Sequence, residues 1–282
     1  MTGATDQYAV IGHPVAHSLS PRIHRAFAAQ TGQALEYIAI EAPLDGFAAV
    51  VSRFREAGGR GLNVTVPFKE EAWRLADALG EAARAAGAAN TLTLDAAEGI
   101  RGDNTDGVGL LTDLTANLGL ALTGRRILLL GAGGAARGVA GPLLDQAPEL
   151  LLVANRGAER ATRLAADFSA RGPIRGTALD ALAGEPPFDL IVNATAASLS
   201  GSAIDLPEGL ICEGTVAYDM VYADVATPFM QWATSCGAVR AVDGLGMLVE
   251  QAAESFRIWR GVRPQTPPVI ADLRTFLGAA YA

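Results

Sequence analysis

Short apolar runs alternate along this chain with longer segments that carry their apolar residues at helical spacing. Runs at 7–12, 35–40, 63–66, 126–130, 150–154, 188–192, 216–220 and 238–242 read as strands, and 87–94 reads as a turn entering another. Segments at 22–30, 47–57, 69–79, 108–118, 227–236, 247–260 and 270–277 read as helices. Ser20-Pro21 has the form of an N-cap and first helical residue, and Gly58-Gly59 that of a helix stop. From Arg126 onward the order is strand, helix, strand, as in a doubly wound parallel sheet.

The sharpest local pattern lies at the start of that region. The strand Arg126-Ile127-Leu128-Leu129-Leu130 runs into Gly131-Ala132-Gly133-Gly134-Ala135-Ala136, and a helical segment follows. Read as Gly131-x-Gly133-x-x-Ala136, this is a dinucleotide-binding fingerprint in its proper context. Gly131 allows the tight turn, Gly133 lets backbone approach a pyrophosphate, and the helix N-terminus turns its amides to the anion. The next strand ends at Asn155-Arg156, with Arg160 beyond, where NAD-binding chains usually place an acid. Guanidinium groups suit a 2′-phosphate, so the expected cofactor is NADP.

Composition narrows the class. Of 282 residues half are hydrophobic and 18% are charged, which suits a folded α/β protein of two domains and not a disordered chain. A net charge of −8 argues against nucleic acid as partner, yet allows a locally positive site for a small anion. The two cysteines, Cys212 and Cys236, have no metal-like spacing and read as reduced thiols of a cytoplasmic protein. No secretory leader or membrane span is expected. His13 and His17 stand four apart, but Pro14 breaks the helix that would align them, so no metal is expected.

Several polar groups stand where chemistry could use them. Ser18 and Ser20 would point to one side of an extended segment, and two hydroxyls can hold a carboxylate. Asn63 and Thr65 share a strand face. Lys69 follows Pro67 at a helix start, where a cation opposes the helix dipole, a setting suited to proton transfer. Asp103 and Asp106 lie in a polar loop, as ligand groups or as caps. Spacing alone does not bring Asp106 to Lys69.

Taken together these motifs resemble the shikimate dehydrogenase family along nearly the whole chain. The resemblance rests on His17-Ser18-Leu19-Ser20-Pro21, Asn63-Val64-Thr65-Val66-Pro67-Phe68-Lys69, Gly87-Ala88-Ala89-Asn90-Thr91 and Gly102-Asp103-Asn104-Thr105-Asp106-Gly107. The glycine turn, Asn155-Arg156, Tyr218-Asp219-Met220-Val221-Tyr222 and Gly244-Leu245-Gly246-Met247-Leu248-Val249-x-Gln251 complete it. It implies an α/β protein of two domains. Residues 1–106 with 244–282 would bind substrate, and 107–243 would form a Rossmann-like, doubly wound NADP domain. The C-terminal helices would return to the first domain.

It also implies an enzyme of aromatic amino-acid and chorismate biosynthesis that reversibly reduces 3-dehydroshikimate to shikimate with NADPH. Such an enzyme is a cytoplasmic monomer or homodimer with no nucleic-acid or membrane partner. Carried over by position, Lys69 and Asp106 would be catalytic. Ser18, Ser20 and Tyr222 would hold the carboxylate, and Asn63, Thr65, Asn90 and Gln251 the ring hydroxyls or their supports. Gly131, Ala132, Gly133, Gly134 and Ala135 would hold the pyrophosphate, and Asn155, Arg156 and Arg160 the 2′-phosphate. Thr195, Met220 and Gly244 would line the cofactor path, with Glu81 a further cofactor position.

Some positions depart from the family pattern: Arg25 stands where Asn is common, Gly157 where Thr is common, and the segment 193–198 lacks the usual Ser and Gly. Two rivals follow from the same residues. One is a quinate or quinate/shikimate dehydrogenase using NAD, against which the two small serines and Arg156 both argue. The other is a non-catalytic regulator that binds shikimate or NADP, which would be expected to lose Lys69 or Asp106.

Overall fold

The computed structural model describes residues 5–95, 97–197, 202 and 204–278. The chain divides into two compact units. The first comprises 1–109 and 249–269, the second 110–248 and 270–282.

The first unit is built on a mixed sheet of six strands: β1 (Asp6–Gly12), β2 (Leu35–Glu41), β3 (Gly59–Val64), β4 (Ala78–Leu79), β5 (Thr91–Asp95) and β6 (Gly99–Asp103). Their spatial order is β2-β1-β3-β5-β6-β4. Only β5 runs against its neighbours. Side chains alternate across the sheet, as period two requires. Ala9 and Ile11 of β1 join a core with Phe47 and Val51 of α2 (Phe47–Glu56) and Ala72 of α3 (Lys69–Leu75). Tyr8 and Val10 face the other way, toward Tyr37 and Trp259. Trp259 belongs to the long helix at Leu245–Arg260, and α1 (Ser20–Thr31) adds His24 and Phe27 beside it. A short α4 (Glu81–Ala86) precedes β5, and α5 (Asp106–Thr112) follows β6.

Three details differ from the sequence expectations. Helix α1 starts at Ser20, with Leu19 already helical at φ −80° and ψ −8° in the cap position and without a side-chain cap. Ser20 is therefore inside the helix, and the extended pairing of Ser18 with Ser20 gives way to a turn in which Ser18 Oγ accepts the Ser20 N–H at 3.3 Å. Pro21 still fits, because the first turn has no use for its missing N–H. Second, β3 ends at Val64, so Thr65 lies just past the strand. Third, part of the polar stretch before α5 is strand β6. Its row of Gly99, Ile100, Arg101, Gly102 and Asp103 is too short of apolar residues to announce itself.

The second unit is a parallel sheet of β7 (Arg126–Leu130), β8 (Leu150–Asn155), β9 (Ile174–Ala178), β10 (Phe188–Asn193), β11 (Ile211–Asp219) and β12 (Arg240–Val242). The order β12-β11-β10-β7-β8-β9 is that of a doubly wound nucleotide-binding sheet, with the switch point between β7 and β10. The central strands β7, β8 and β10 are apolar almost throughout because both faces are covered. Helices α6 (Gly134–Leu144), α7 (Ala158–Phe168) and α8 (Pro228–Ser235) supply the cover, and Phe229 and Ala233 of α8 pack on Leu128, Ile191 and Ala217. Thr227 caps α8 as expected. Its Oγ1 accepts the Met230 N–H at 3.2 Å, a bond of the kind that contributes about 1 kcal/mol.

After α5 the chain makes a π-helical turn at Asp113–Asn117, and after β12 it enters α9 (Leu245–Arg260) and α10 (Pro267–Leu277). The unit boundaries at 109/110, 248/249 and 269/270 differ from the expected 106/107 and 243/244. The tail joins the second unit because Arg274 forms an ion pair with Asp243 and Leu273 is fully buried. Among the described residues no helix is long and apolar enough to cross a membrane, and Cys212 and Cys236 are free and exposed.

Candidate active site

Backbone register explains how distant residues meet in the first unit. Asn63 of β3 pairs with Thr91 of β5, and Thr91 with Asp103 of β6. One residue before β5, the Asn90 N–H donates to the Asp103 carbonyl at 3.0 Å, and the Ala89 N–H donates to the Lys69 carbonyl at 2.8 Å. Lys69, Asn90 and the 103–106 turn are thus stitched together by main chain alone.

Their side chains then converge. Lys69 Nζ donates to Asp106 Oδ2 at 2.6 Å, with the lysine side chain 17% exposed and the aspartate 5%. The pair is shielded from bulk water, yet the lysine keeps one open side. The other Asp106 oxygen accepts Asn90 Nδ2 at 2.9 Å. The Asp106 N–H donates to Asn104 Oδ1 at 3.0 Å, while Asn104 Nδ2 donates to the Ala88 carbonyl at 2.9 Å. The carboxylate is therefore fixed at both oxygens and at its own backbone, and a charge-assisted pair held this way has little freedom to turn.

Gln251 of α9 joins the same cluster, its Oε1 lying 3.3 Å from both Asn90 Nδ2 and Thr105 Oγ1. Asn63 is 6% exposed and has its amide occupied. Its Oδ1 accepts the Tyr37 hydroxyl at 2.7 Å, and its Nδ2 donates to Ser255 Oγ at 2.9 Å. Burial pushes the Tyr37 phenol well above its ordinary pKa and keeps it a donor, and Ser20 hydrogen-bonds to it. Ser20 is buried and Ser18 half-buried. Thr65 is half-buried, with its methyl against Gly12. Glu81 is exposed at the first turn of α4.

The second unit carries the glycine turn. Gly131 has φ +103°, in the range that favours glycine, and a Cβ there would sit 3.2 Å from Thr195 Cγ2 and 3.3 Å from Ala194 main chain. Gly133 is extended and caps α6, with open space where a side chain would be. The half-buried Gly134 and Ala135 open that helix, so their amides have no carbonyl a turn earlier to bond. Together with the half-buried Ala132 they form a cradle shaped for a phosphate, at the switch point of the sheet.

Next to it β8 ends at Asn155, whose Nδ2 donates to the Gly157 carbonyl at 3.0 Å. Arg156 and Arg160 are exposed, and among the described residues neither forms an ion pair. Two unneutralised guanidinium groups beside the ribose position fit a 2′-phosphate. Thr195 donates to Asn193 Oδ1 at 2.8 Å, which sets the turn after β10. Met220 and Tyr222 are half-buried just past β11. The Gly244 N–H donates to the Val221 carbonyl at 3.1 Å, and a Cβ at Gly244 would meet the Met220 carbonyl oxygen at 2.3 Å. The expected segment 193–198 is described only to residue 197.

Family models match the chain in three consecutive stretches. Residues 10–92 match the shikimate dehydrogenase substrate binding domain, 113–228 match shikimate / quinate 5-dehydrogenase, and 244–274 match the shikimate 5'-dehydrogenase C-terminal domain. The chain is 54% identical to a shikimate dehydrogenase (NADP(+)) of Dechloromonas aromatica over 275 residues, 98% of this chain and 100% of the relative. The chain belongs to the shikimate dehydrogenase family. A second relative of the same name, from Alcanivorax borkumensis, is 56% identical over 272 residues, 96% of this chain and 97% of its own length. Among solved structures, a shikimate 5-dehydrogenase of Thermus thermophilus in complex with NADP(H) and shikimate superposes with a TM-score of 0.83. It is 35% identical, covering 96% of this chain and 99% of that one.

Four further residues enter this site: Asn104 and Thr105 stand in the 102–107 motif without a role of their own, and Tyr37 and Ser255 are not singled out by the sequence. Tyr37, Asn104, Thr105 and Ser255 all bond to the cluster around Asn63, Asn90 and Asp106. For Ser255 a signal exists: it stands four residues after Gln251, on the same face of one helix. Tyr37 looks like any strand aromatic, and nothing in its neighbourhood in the sequence distinguishes it.

Proposed function

We propose that this chain catalyses the reversible NADPH-dependent reduction of 3-dehydroshikimate to shikimate, with Lys69 as the proton-transfer residue and Asp106 as its partner. The observation that carries this reading is the part-buried 2.6 Å pair of Lys69 and Asp106, braced by Asn90. Bound NADPH supplies a hydride to the 3-keto carbon. The carbonyl oxygen then gains electron density and must take a proton, which the Lys69 ammonium gives. In the reverse direction the Lys69 amine takes the proton from the substrate hydroxyl. Asp106 holds the ammonium in one orientation and has lone pairs left to accept a neighbouring ring hydroxyl.

Ser18 and Ser20 hold the substrate carboxylate, with the Tyr222 hydroxyl as a further donor. Thr65, Asn90 and Gln251 meet the ring hydroxyls, and Asn63, whose amide is already engaged, braces them. The backbone of Gly131 to Ala135 takes the pyrophosphate, and Asn155, Arg156 and Arg160 take the 2′-phosphate. Thr195, Met220 and Gly244 border the rest of the cofactor, with Glu81 a further contact. The enzyme acts in the cytoplasm, as a monomer or homodimer; sedimentation showing a larger assembly would contradict the latter.

The direct test is Lys69→Ala. It should lower kcat by about 10²-fold or more with a smaller change in KM. A variant with unchanged kcat would remove Lys69 from the chemistry.

A further inference from the structure

The hydroxyl of Ser255 sits where several polar groups of the first unit meet. It is fully buried on α9. Its Oγ lies 2.7 Å from Thr91 Oγ1, 2.9 Å from Asn63 Nδ2, 3.3 Å from Thr105 Oγ1 and 3.1 Å from the Gln251 carbonyl.

Donor counting together with the distances sets the direction of these bonds. A backbone N–H can only donate, and that of Thr105 donates to Asn90 Oδ1 at 2.9 Å. The amide nitrogen of Asn90 is therefore the end that faces Asp106. Thr91 Oγ1 gives its one proton to the same Asn90 oxygen at 3.0 Å. With that proton on Asn90, Ser255 donates across the shorter 2.7 Å contact to Thr91 in preference to the Gln251 carbonyl at 3.1 Å, and in turn accepts from Asn63. The bonds run in one sense: Asn63 to Ser255, Ser255 to Thr91, Thr91 to Asn90. Asn90 then donates to Asp106, the partner of Lys69.

We propose that Ser255 is a positioning residue for proton transfer. Through Thr91, and beside the Thr105 N–H that donates to the same oxygen, it holds the Asn90 amide with its nitrogen toward Asp106, and so keeps that carboxylate aimed at Lys69. With Asn90 reversed, its carbonyl oxygen would face the carboxylate and push it away. The proposal rests on the assignment of proton transfer to Lys69 made above.

Two variants break the relay at successive links, Ser255→Ala and Thr91→Val, the second keeping the side-chain shape. Each should lower kcat about tenfold with the KM for NADP unchanged, and the double variant should be no slower than either single one. In a Lys69→Ala background, Ser255→Ala should have no further effect, because there is no ammonium left to aim. Thermal melting of each variant confirms that it is folded, and either single variant suffices if the other is not. Wild-type kcat in a folded single variant overturns the proposal, as does the same tenfold loss with Lys69 absent, the mark of general loosening. Full activity of Lys69→Ala would overturn the parent reading and the relay together. An inactive Lys69→Ala beside a fully active Ser255→Ala would overturn the relay alone.

Discussion

His24 ties acid stability to one side chain. Its ring is fully buried on α1, stacked on Tyr37 with centroids 4.1 Å apart and planes 4° from parallel. Phe27, Phe256 and Trp259 lie around it. Among the described residues neither ring nitrogen has a hydrogen-bond partner of good geometry. Burial disfavours the charged ring and lowers its pKa from 6.5 to about 3; the polar Asn63 side chain acts the other way and is outweighed. The unfolded chain protonates this ring near its ordinary value, the folded chain only near 3. Between these values the unfolded state binds more protons, so stability is lost as pH falls through that window and is unaffected above it. From pH 7 to pH 4 the loss comes to about 3 kcal/mol. Replacing the ring by phenylalanine removes the titration. Urea unfolding of the wild type and of His24→Phe at both pH values isolates the effect, since the carboxylates titrate in both proteins. Any packing cost of the new ring is common to both pH values. The wild type should lose about 3 kcal/mol more than the variant. Equal losses would show that the ring is not held neutral in the folded protein.

The remaining predictions concern ligands. Arg156→Ala should raise the KM for NADP much more than that for NAD, because its guanidinium is exposed and unpaired among the described residues; equal effects would put the 2′-phosphate elsewhere. Ser18→Ala should weaken shikimate binding and leave NADP binding unchanged, which calorimetry with each ligand reads separately. An unaltered shikimate Kd would take Ser18 out of the site.

The nucleotide-binding unit was legible because its signals are local. The run from Arg126 to Leu130, the turn at Gly131 and Gly133, and Asn155-Arg156 lie within single strand–turn–helix steps, and the structure has them there. Strands β4, β6 and β9 were not legible, being short or poor in apolar residues. The start of α1 was misread because Ser20-Pro21 has the composition of a cap, whereas the chain turns helical one residue earlier, at Leu19.

The catalytic candidates divide along the same line. Lys69 and Asp106 each stood out, one beside Pro67 and the other in a polar stretch. Their 2.6 Å pairing depends on the registers of β3, β5 and β6, which no spacing encodes. Ser255 depends further on how α9 lies over that sheet, a tertiary fact. Polar residues in a buried network thus read in the sequence like polar residues on a solvated face, until their partners are known.

The account stands most directly on whether shikimate and NADP are turned over together. NADPH formation, followed by its absorbance with shikimate and NADP, should be strong in the wild type. It should be weak with quinate or with NAD in their place, and nearly abolished in Lys69→Ala. Turnover that prefers quinate or NAD would contradict the reading of Ser18, Ser20 and Arg156, and binding of shikimate with no turnover at all would contradict the role of Lys69 and Asp106.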